Sequence, residues 1–249
     1  MVEAKSIDLR HLKTGVINLE FQSRRRHRAR NALTKLGLDF SFIEGIADKP
    51  RHVGCSQSHL KAIETLQVGG LPFLVLEDDA IPTPFFTPCV EIPPGVDLLY
   101  LGHSPYGWSR TLSGTPEITA RDSDQCLRVH SMLAAHAILY VTQAGVDAVA
   151  ASIRRSISAD RKERHDIGLC DLQQTLDVRA TIRPLFCQSA EVQGAAKRDL
   201  RKELEDFVSV PRSVGDLVVS ADRRLKVAKT LSGGLHFTLE EPDRATVGT

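Results

Sequence analysis

Several signals that define large protein classes are absent from this chain. It contains no G-x-x-x-x-G-K-[ST] phosphate loop, which excludes a P-loop nucleotide hydrolase. No apolar stretch approaches the length of a membrane span, and the N-terminus lacks the apolar core of a signal peptide. We therefore expect a cytoplasmic protein without a transmembrane segment, and peripheral attachment to the inner face of a membrane is left open.

Paired cysteines and an excess of one charge are also missing. The five cysteines are scattered and form no C-x-x-C pair, which argues against a disulfide framework and against a structural zinc site. Lys and Arg number 32 against 31 Asp and Glu, so the net charge of +1 gives no general reason to expect nucleic acid as a partner. The 249 residues, 42% of them hydrophobic, suffice for one large domain or one domain with an appendage.

The most informative stretch is LPFLVLEDDAIPTP, residues 71–84. Its apolar start predicts a strand buried on both faces, which stops at Glu77, Asp78 and Asp79, and Pro82 argues against regular structure beyond that point. Ligands of open α/β sheets bind at the carboxyl ends of strands, so we expect three exposed carboxylates that bind a divalent cation and its phosphates. Acidic loop residues that only add solubility are the alternative.

Strand and helix patterns alternate along the chain and predict an α/β fold. Ser23 is expected to cap the first helix, and Ser56 or Ser58 the second. Residues 109–125 are polar and are predicted to form a loop. The predicted strands are 15–19, 40–46, 71–76, 96–102, 137–141 and 181–188, and the predicted helices are 23–37, 54–69, 143–157, one that starts near residue 169, and a charged one at 197–207.

Cationic side chains crowd the start of the first predicted helix. Cations are unfavourable at a helix N-terminus, so we expect one or two of them to approach a diphosphate or a carboxylate. A solvated basic face is the alternative. The residues concerned are Arg24, Arg25, Arg26, Arg28 and Arg30.

Two further pairs are weaker signals. Cys55 and His59 are four residues apart and can share a helical face, but two ligands alone do not define a metal site. Tyr106 and Trp108 can stack on a sugar or a base, although packed aromatic side chains are more common.

The order of the pieces resembles glycosyltransferase family 25, the lipopolysaccharide and procollagen galactosyltransferase group. The resemblance covers residues 14–190, and its most specific part is G-C-x-x-S-H placed about 20 residues before L-E-D-D. The matching pieces are INL followed by the arginine-rich helix, GCSQSHLKAIE, PFLVLEDDAIP, DLLYLG, AHAILYVTQAGVDAV, D-x-x-L and PLFCQ.

The resemblance implies a GT-A type fold, an α/β/α sandwich that binds a nucleotide sugar on a mixed, mostly parallel sheet. This domain would span residues 1–190, and residues 191–249 would be an extension packed on it. The implied reaction transfers a hexose, galactose or glucose, from a UDP-sugar to a hydroxyl of a glycan such as lipopolysaccharide oligosaccharide. It would proceed with inversion and require Mn²⁺ or Mg²⁺.

The resemblance also assigns roles to residues. Asp79 and Glu77 would hold the metal, and Asp166, with His165 as second choice, would be the base that deprotonates the acceptor hydroxyl. The residues implied at the nucleotide-sugar site are Asn18, Arg24, Arg25, Arg28, Ser58, His59 and Asp78.

The sequence leaves open two alternatives to a glycan-modifying transferase. The acceptor could be a modified nucleobase in DNA, although no basic stripe interleaved with aromatics supports this. The chain could also be a catalytically silent binding or adaptor protein that keeps the fold. The oligomeric state does not follow from the sequence.

Overall fold

The computed structural model describes residues 4–104, 117–120, 126–158, 164–188, 223–229 and 235–240. These residues form a mixed α/β structure, which confirms the predicted class. The helices are α1 (Ser23–Lys35), α2 (Arg51–Gln67), α3 (Gln143–Ile157) and α4 (His165–Leu172). The strands are β1 (Lys5–Asp8), β2 (Lys13–Asn18), β3 (Phe40–Glu44), β4 (Phe73–Glu77), β5 (Ala80–Pro82), β6 (Cys89–Ile92), β7 (Leu98–Tyr100), β8 (Glu117–Ala120), β9 (Cys126–Ser131), β10 (Ala137–Tyr140), β11 (Val178–Thr181), β12 (Phe186–Gln188), β13 (Arg223–Lys229) and β14 (Leu235–Glu240).

The main sheet is mixed and has the strand order β14-β13-β8-β9-β11-β7-β10-β4-β2-β3. In its seven-strand part, from β9 to β3, five strands run in one direction, and β10 and β9 run the opposite way. This part is therefore mostly parallel, as predicted. Strands β8, β13 and β14 continue it in antiparallel fashion. Two small sheets pair β1 with β6 and β5 with β12.

Apolar side chains fill both faces of the sheet. Phe73 and Val75 of β4 pack in the same cluster as Ile63 of α2, together with residues of α3 and α4. Leu74 of β4 packs on the opposite face, in the cluster that contains Leu33 of α1. The four apolar residues of the strand are fully buried because their side chains alternate between two covered faces. The apolar run predicted this burial correctly. No helix in the described ranges is both long and apolar enough to cross a membrane.

The predicted helix caps were wrong. The residue before α1 is Gln22, and Ser23 is already the first helical residue. Helix α2 begins directly after Pro50, so Ser56 and Ser58 lie inside it. Their hydroxyls donate back to the carbonyls of the preceding turn, which is the bond that a serine inside a helix can form.

Four other element predictions need correction. Pro82 ends β5, a short strand whose one partner among the described strands is β12, and a proline is tolerated at such an edge. The predicted strand 181–188 is divided between β11 of the main sheet and β12 of the small one. Within the predicted loop 109–125, β8 pairs with β9. Helix α4 starts at residue 165, earlier than expected. Tyr106, Trp108 and the helix predicted at 197–207 lie outside the described residues.

The buried His103 makes the fold sensitive to acid. Its Nε2 donates to the Thr181 carbonyl at 2.7 Å. Burial is the main cause that lowers the pKa of His103 to about 4, from an ordinary value of 6.5. As the pH falls from 6.5 towards 4, His103 therefore becomes protonated in the unfolded chain but stays neutral in the folded chain.

We expect this difference to cost about 2 kcal/mol of the free energy of unfolding between pH 7 and pH 5. In His103→Gln, which keeps a neutral donor, urea unfolding should show a smaller loss over the same interval. His11→Gln, at an exposed position, is the control and should keep the wild-type loss. Equal losses in all three proteins would contradict the assignment.

Candidate functional site

The carboxyl ends of two neighbouring parallel strands meet the start of helix α1 at one edge of the sheet. Asn18 ends β2 and Glu77 ends β4, with Asp78 and Asp79 immediately after it. The Asp78 N–H donates to the Ile17 carbonyl at 3.0 Å, which extends the pairing of β2 with β4 into the acidic sequence. The three acidic residues 77–79, called here the acidic cluster, are therefore held on a rigid strand end.

Side chains of β2 and α1 form hydrogen bonds and ion pairs with the two aspartates, Asp78 and Asp79. Asn18 Nδ2 donates to Asp78 Oδ2 at 2.6 Å. The Arg25 guanidinium contacts both aspartates, with Asp78 Oδ1 on one side and Asp79 Oδ2 at 2.8 Å on the other. Asp78 and Asp79 are only 6% and 3% exposed, so the expectation of exposed carboxylates was wrong. They can be buried because Arg25 supplies a positive charge beside them.

Glu77 is held by two other side chains. His59 Nε2 donates to Glu77 Oε1 at 3.0 Å, and Gln188 Nε2 lies 3.3 Å from Glu77 Oε2 and 3.5 Å from Asp79 Oδ2. Burial by itself would raise the pKa of Glu77, but the His59 hydrogen bond and nearby imidazoles outweigh it and lower the pKa to about 2. Burial likewise opposes the charge on His59, whose bonds to Cys55 and Glu77 nevertheless raise its pKa to about 10. Glu77 and His59 therefore form a buried ion pair.

Three polar atoms at this edge are buried and have no hydrogen-bond partner among the described residues. They are Asp79 Oδ1, Asn18 Oδ1 and Arg25 Nε. Burial and the adjacent Glu77 raise the pKa of Asp79 well above its ordinary range, although Arg25 acts in the opposite direction. Asn18 and Arg25 both bond Asp78, and Arg25 also bonds Asp79, so the three residues belong to one connected group. Because buried polar atoms are nearly always paired in folded proteins, three unpaired ones in one such group indicate a binding site for a polar ligand.

The donor atoms fit a hard divalent cation. Asp79 Oδ1 and Asn18 Oδ1 are unpaired oxygens, the ligand type that Mg²⁺ and Mn²⁺ prefer. Glu77 already accepts bonds on both oxygens, from His59 and from Gln188. The fit is therefore better for Asp79 than for Glu77, the other metal ligand predicted from the sequence.

Of the arginines singled out from the sequence, Arg25 contacts the carboxylates of Asp78 and Asp79. A carboxylate was one of the two anions predicted for this helix, the other being a diphosphate. The guanidinium carbons of Arg26 and Arg30 lie 4.4 and 5.4 Å from the centre of the Phe42 ring. Arg24 and Arg28 are exposed and line a shallow groove of about 630 Å³ along α1. The structure thus does not bring all three predicted nucleotide-site arginines to the acidic cluster.

The G-C-x-x-S-H motif fastens a loop onto α2. The Ser58 hydroxyl accepts from the Ile46 N–H at 2.7 Å and donates to the Gly54 carbonyl at 2.6 Å. A Cβ at Gly54 would lie 2.4 Å from the Ile46 carbonyl oxygen and 2.7 Å from the Asp48 nitrogen. Gly54 therefore permits the loop to approach, and Ser58 holds it. Ser58 was predicted at the nucleotide-sugar site, and its hydroxyl is engaged with the backbone.

We expect Gly54→Ala to lower the free energy of unfolding by about 2 kcal/mol, because backbone atoms block the new methyl group and the loop must move. Gly69→Ala is the matched control in the segment after the same helix. There the added carbon would meet only the flexible end of Lys13, so the effect should be small. Urea unfolding of both variants measures the difference, and equal stability would show that the close approach at Gly54 is unimportant.

A second group of polar side chains lies next to Glu77, on the other side of His59. One ligand atom each of Cys55, His59 and His165 lies within 4.8 Å of the others. The rings of His59 and His165 are 4.5 Å apart between centres. Burial lowers the pKa of His165 to about 3, so this imidazole is neutral at pH 7 and a weak base.

Asp166, the first choice for the base, begins helix α4 beside His165. Its Oδ2 accepts from Arg164 Nη2 at 2.8 Å, and its Oδ1 accepts from the Ile167 N–H at 3.1 Å. These contacts place Asp166 as an acidic residue in the first turn, where the helix dipole favours a negative charge. They do not link it to the acidic cluster.

The sequence did not single out Gln188 as a site residue. It lies at the end of β12, and its amide contacts both Glu77 and Asp79. The only signal was a polar residue that ends an apolar run, PLFCQ, which is common at strand ends.

A scan against models of known protein families found no match to the chain, and a search of curated proteins found none either.

Proposed function

We propose that the protein is a metal-dependent glycosyltransferase of GT-A type that uses a nucleotide-sugar donor. The observation that carries the proposal is the set of three unpaired buried atoms, Asp79 Oδ1, Asn18 Oδ1 and Arg25 Nε, at the carboxyl ends of β2 and β4. Parallel strands and a helix N-terminus meet there, which is the common position of phosphate ligands in α/β proteins. Resemblance to glycosyltransferase family 25 supports the same reaction class.

In this proposal Asn18 and Asp79 hold Mn²⁺ or Mg²⁺, and Glu77 stabilises the arrangement through His59 and Gln188. When bound there, the cation would supply Lewis-acid neutralisation of the charge on the departing nucleoside diphosphate. Arg25 contributes a permanent positive charge next to the diphosphate and keeps Asp78 and Asp79 in place. Asp78, bonded to Asn18 and Arg25, positions both of these side chains rather than the ligand.

Transfer with inversion needs a base that takes the proton of the acceptor hydroxyl. Asp166 is our candidate, because its neighbour His165 packs against His59 and the lowered pKa of that imidazole disfavours it as a base. We propose a hexose from a UDP-sugar as the transferred group, and a glycan such as lipopolysaccharide oligosaccharide as the acceptor, on the family resemblance.

One observation favours a second candidate function. The charges of the acidic cluster are already balanced in large part by Arg25 and His59, residues of the same chain. A binding or adaptor protein that keeps the fold but does not hold a cation would need this neutralisation of its carboxylates by residues of its own chain. Absence of both donor turnover and donor binding under every metal condition would favour it.

The test is release of nucleoside diphosphate by the full chain from a panel of UDP-sugars and GDP-sugars, with Mn²⁺, Mg²⁺ or EDTA and no acceptor. Slow hydrolysis of one donor that stops in EDTA is the expected result. Calorimetry with the same panel follows if there is no turnover. Binding of a sugar nucleotide would then point to a missing acceptor, and failure to bind any of them would overturn the proposal in favour of the silent protein.

A further inference from the structure

The group formed by Cys55, His59 and His165 is separate from the acidic cluster in its ligand chemistry. A thiol and two imidazoles are soft or borderline ligands, whereas the acidic cluster offers oxygen atoms. Cys55 and His59 face the same side of α2, and His165 approaches them from the start of α4. His59 and His165 are 2% and 5% exposed, and Cys55 is half-buried.

One ring nitrogen of His165 is buried and lacks a hydrogen-bond partner among the described residues. The Ser56 hydroxyl donates to the His52 carbonyl at 2.8 Å, so toward His165 Nδ1, 3.4 Å away, it can only accept. This contact puts the imidazole proton on Nδ1. The other nitrogen, Nε2, is buried and has no hydrogen-bond partner among the described residues. A neutral imidazole with an unpaired nitrogen is the form that binds a metal.

His59 is oriented in the same way. Its Nε2 donates to Glu77 Oε1 at 3.0 Å, and its Nδ1 faces Cys55, so a metal would replace the proton held between these two ligand atoms. Metal-binding histidines commonly donate their second N–H to a carboxylate, which fixes the ring and makes the ligating nitrogen more basic. Glu77 is the carboxylate in this case.

We propose that Cys55, His59 and His165 form a binding site for a transition-metal dication, for which Zn²⁺ has the best-matched chemistry. Tetrahedral zinc places sulfur and nitrogen ligands about 3.4 to 3.6 Å from one another. The present ligand atoms lie within 4.8 Å of one another, so side-chain shifts of about 1 Å close the site. Three protein ligands leave the fourth coordination position of the metal for water. Cys55 is only half-buried, so we expect water to reach the site from its side.

Zinc at this site connects two helices. Cys55 and His59 belong to α2 and His165 to α4, so the metal fixes the first turn of α4 against the middle of α2. Through the His59 bond to Glu77, the metal also borders the residue that ends β4. The site differs from the acidic cluster in every ligand, and zinc binding is measured without a nucleotide sugar.

The experiment uses the full chain, freed of metal with a chelator, and titrates it with Co²⁺ alone and then with Zn²⁺. One equivalent of Co²⁺ should give a thiolate-to-cobalt charge-transfer band, and Zn²⁺ should abolish it while excess Mg²⁺ should not. Cys55→Ser should lose the band, and Cys55→Ser and His165→Gln should each bind Zn²⁺ more than about 100-fold more weakly. Cys89→Ser, at an exposed cysteine on β6, is the control and should bind like the wild type.

A second measurement needs no variant. Zn²⁺ should slow alkylation of Cys55 by iodoacetamide in the wild-type chain and leave alkylation of Cys89 unchanged, as followed by mass spectrometry. A band that persists in Cys55→Ser, or equal alkylation of Cys55 with and without Zn²⁺, would overturn the proposal. Absence of stoichiometric binding by the folded wild type would do the same.

Discussion

Asp79→Asn should reduce metal-dependent turnover of the sugar nucleotide by about 100-fold or more. The change keeps the size of the side chain and removes the negative charge beside the unpaired oxygen that would bind the cation. Loss of about 3 kcal/mol of charge stabilisation in the transition state corresponds to roughly that factor. The measurement is the rate of nucleoside diphosphate release at saturating Mn²⁺.

The choice of asparagine follows from the burial of Asp79, which is 3% exposed. Alanine would leave a gap beside Arg25 and confuse a catalytic loss with a structural one. A neutral amide in place of a buried carboxylate beside Glu77 and Asp78 should leave thermal stability unchanged or higher. Asp39→Asn, at an exposed position after α1, is the control. Wild-type turnover in a folded Asp79→Asn protein would remove Asp79 from the metal site.

Arg25→Met should lower the free energy of unfolding by about 3 kcal/mol. It removes the guanidinium that contacts both Asp78 and Asp79 and leaves two buried carboxylates next to each other. Loss of one partner from a buried ion pair commonly costs 3–5 kcal/mol, and the 20% exposure of the Arg25 side chain moderates the effect. Urea unfolding at pH 7 measures it.

Arg24→Met provides a matched comparison, since it removes the same side chain one position earlier in the same helix. Arg24 is exposed, so its substitution should change stability by no more than about 0.5 kcal/mol. If both variants unfold at the same urea concentration, Arg25 does not balance the acidic cluster.

The sequence predicted the elements whose patterns are local and strong. Helix α3 occurs at the predicted residues 143–157, because its apolar positions recur at helical spacing. Strand β4 and its burial followed from four consecutive apolar residues. The acidic cluster at the end of β4 and a carboxylate contact for an arginine of α1 were also predicted correctly.

The parts that the sequence did not predict depend on residues far apart in the chain. Asp79 is buried because Arg25 of another element neutralises it, and no local pattern reports that contact. Gln188 reaches the site through the pairing of β12 with β5, which hydrophobic periodicity does not specify. The spacing of Cys55 and His59 was visible, but His165 joins them only through the packing of α4 on α2.

The position of Arg26 and Arg30 over the Phe42 ring affects the protein in concentrated solution. Among the strands that the structure describes, β3 is the last one of the main sheet on its side, and such a strand offers backbone groups that can pair with a second molecule. The two guanidiniums shield the apolar ring and put permanent charge beside the open strand. Two copies that met along β3 would bring four arginines together, and this repulsion opposes self-association.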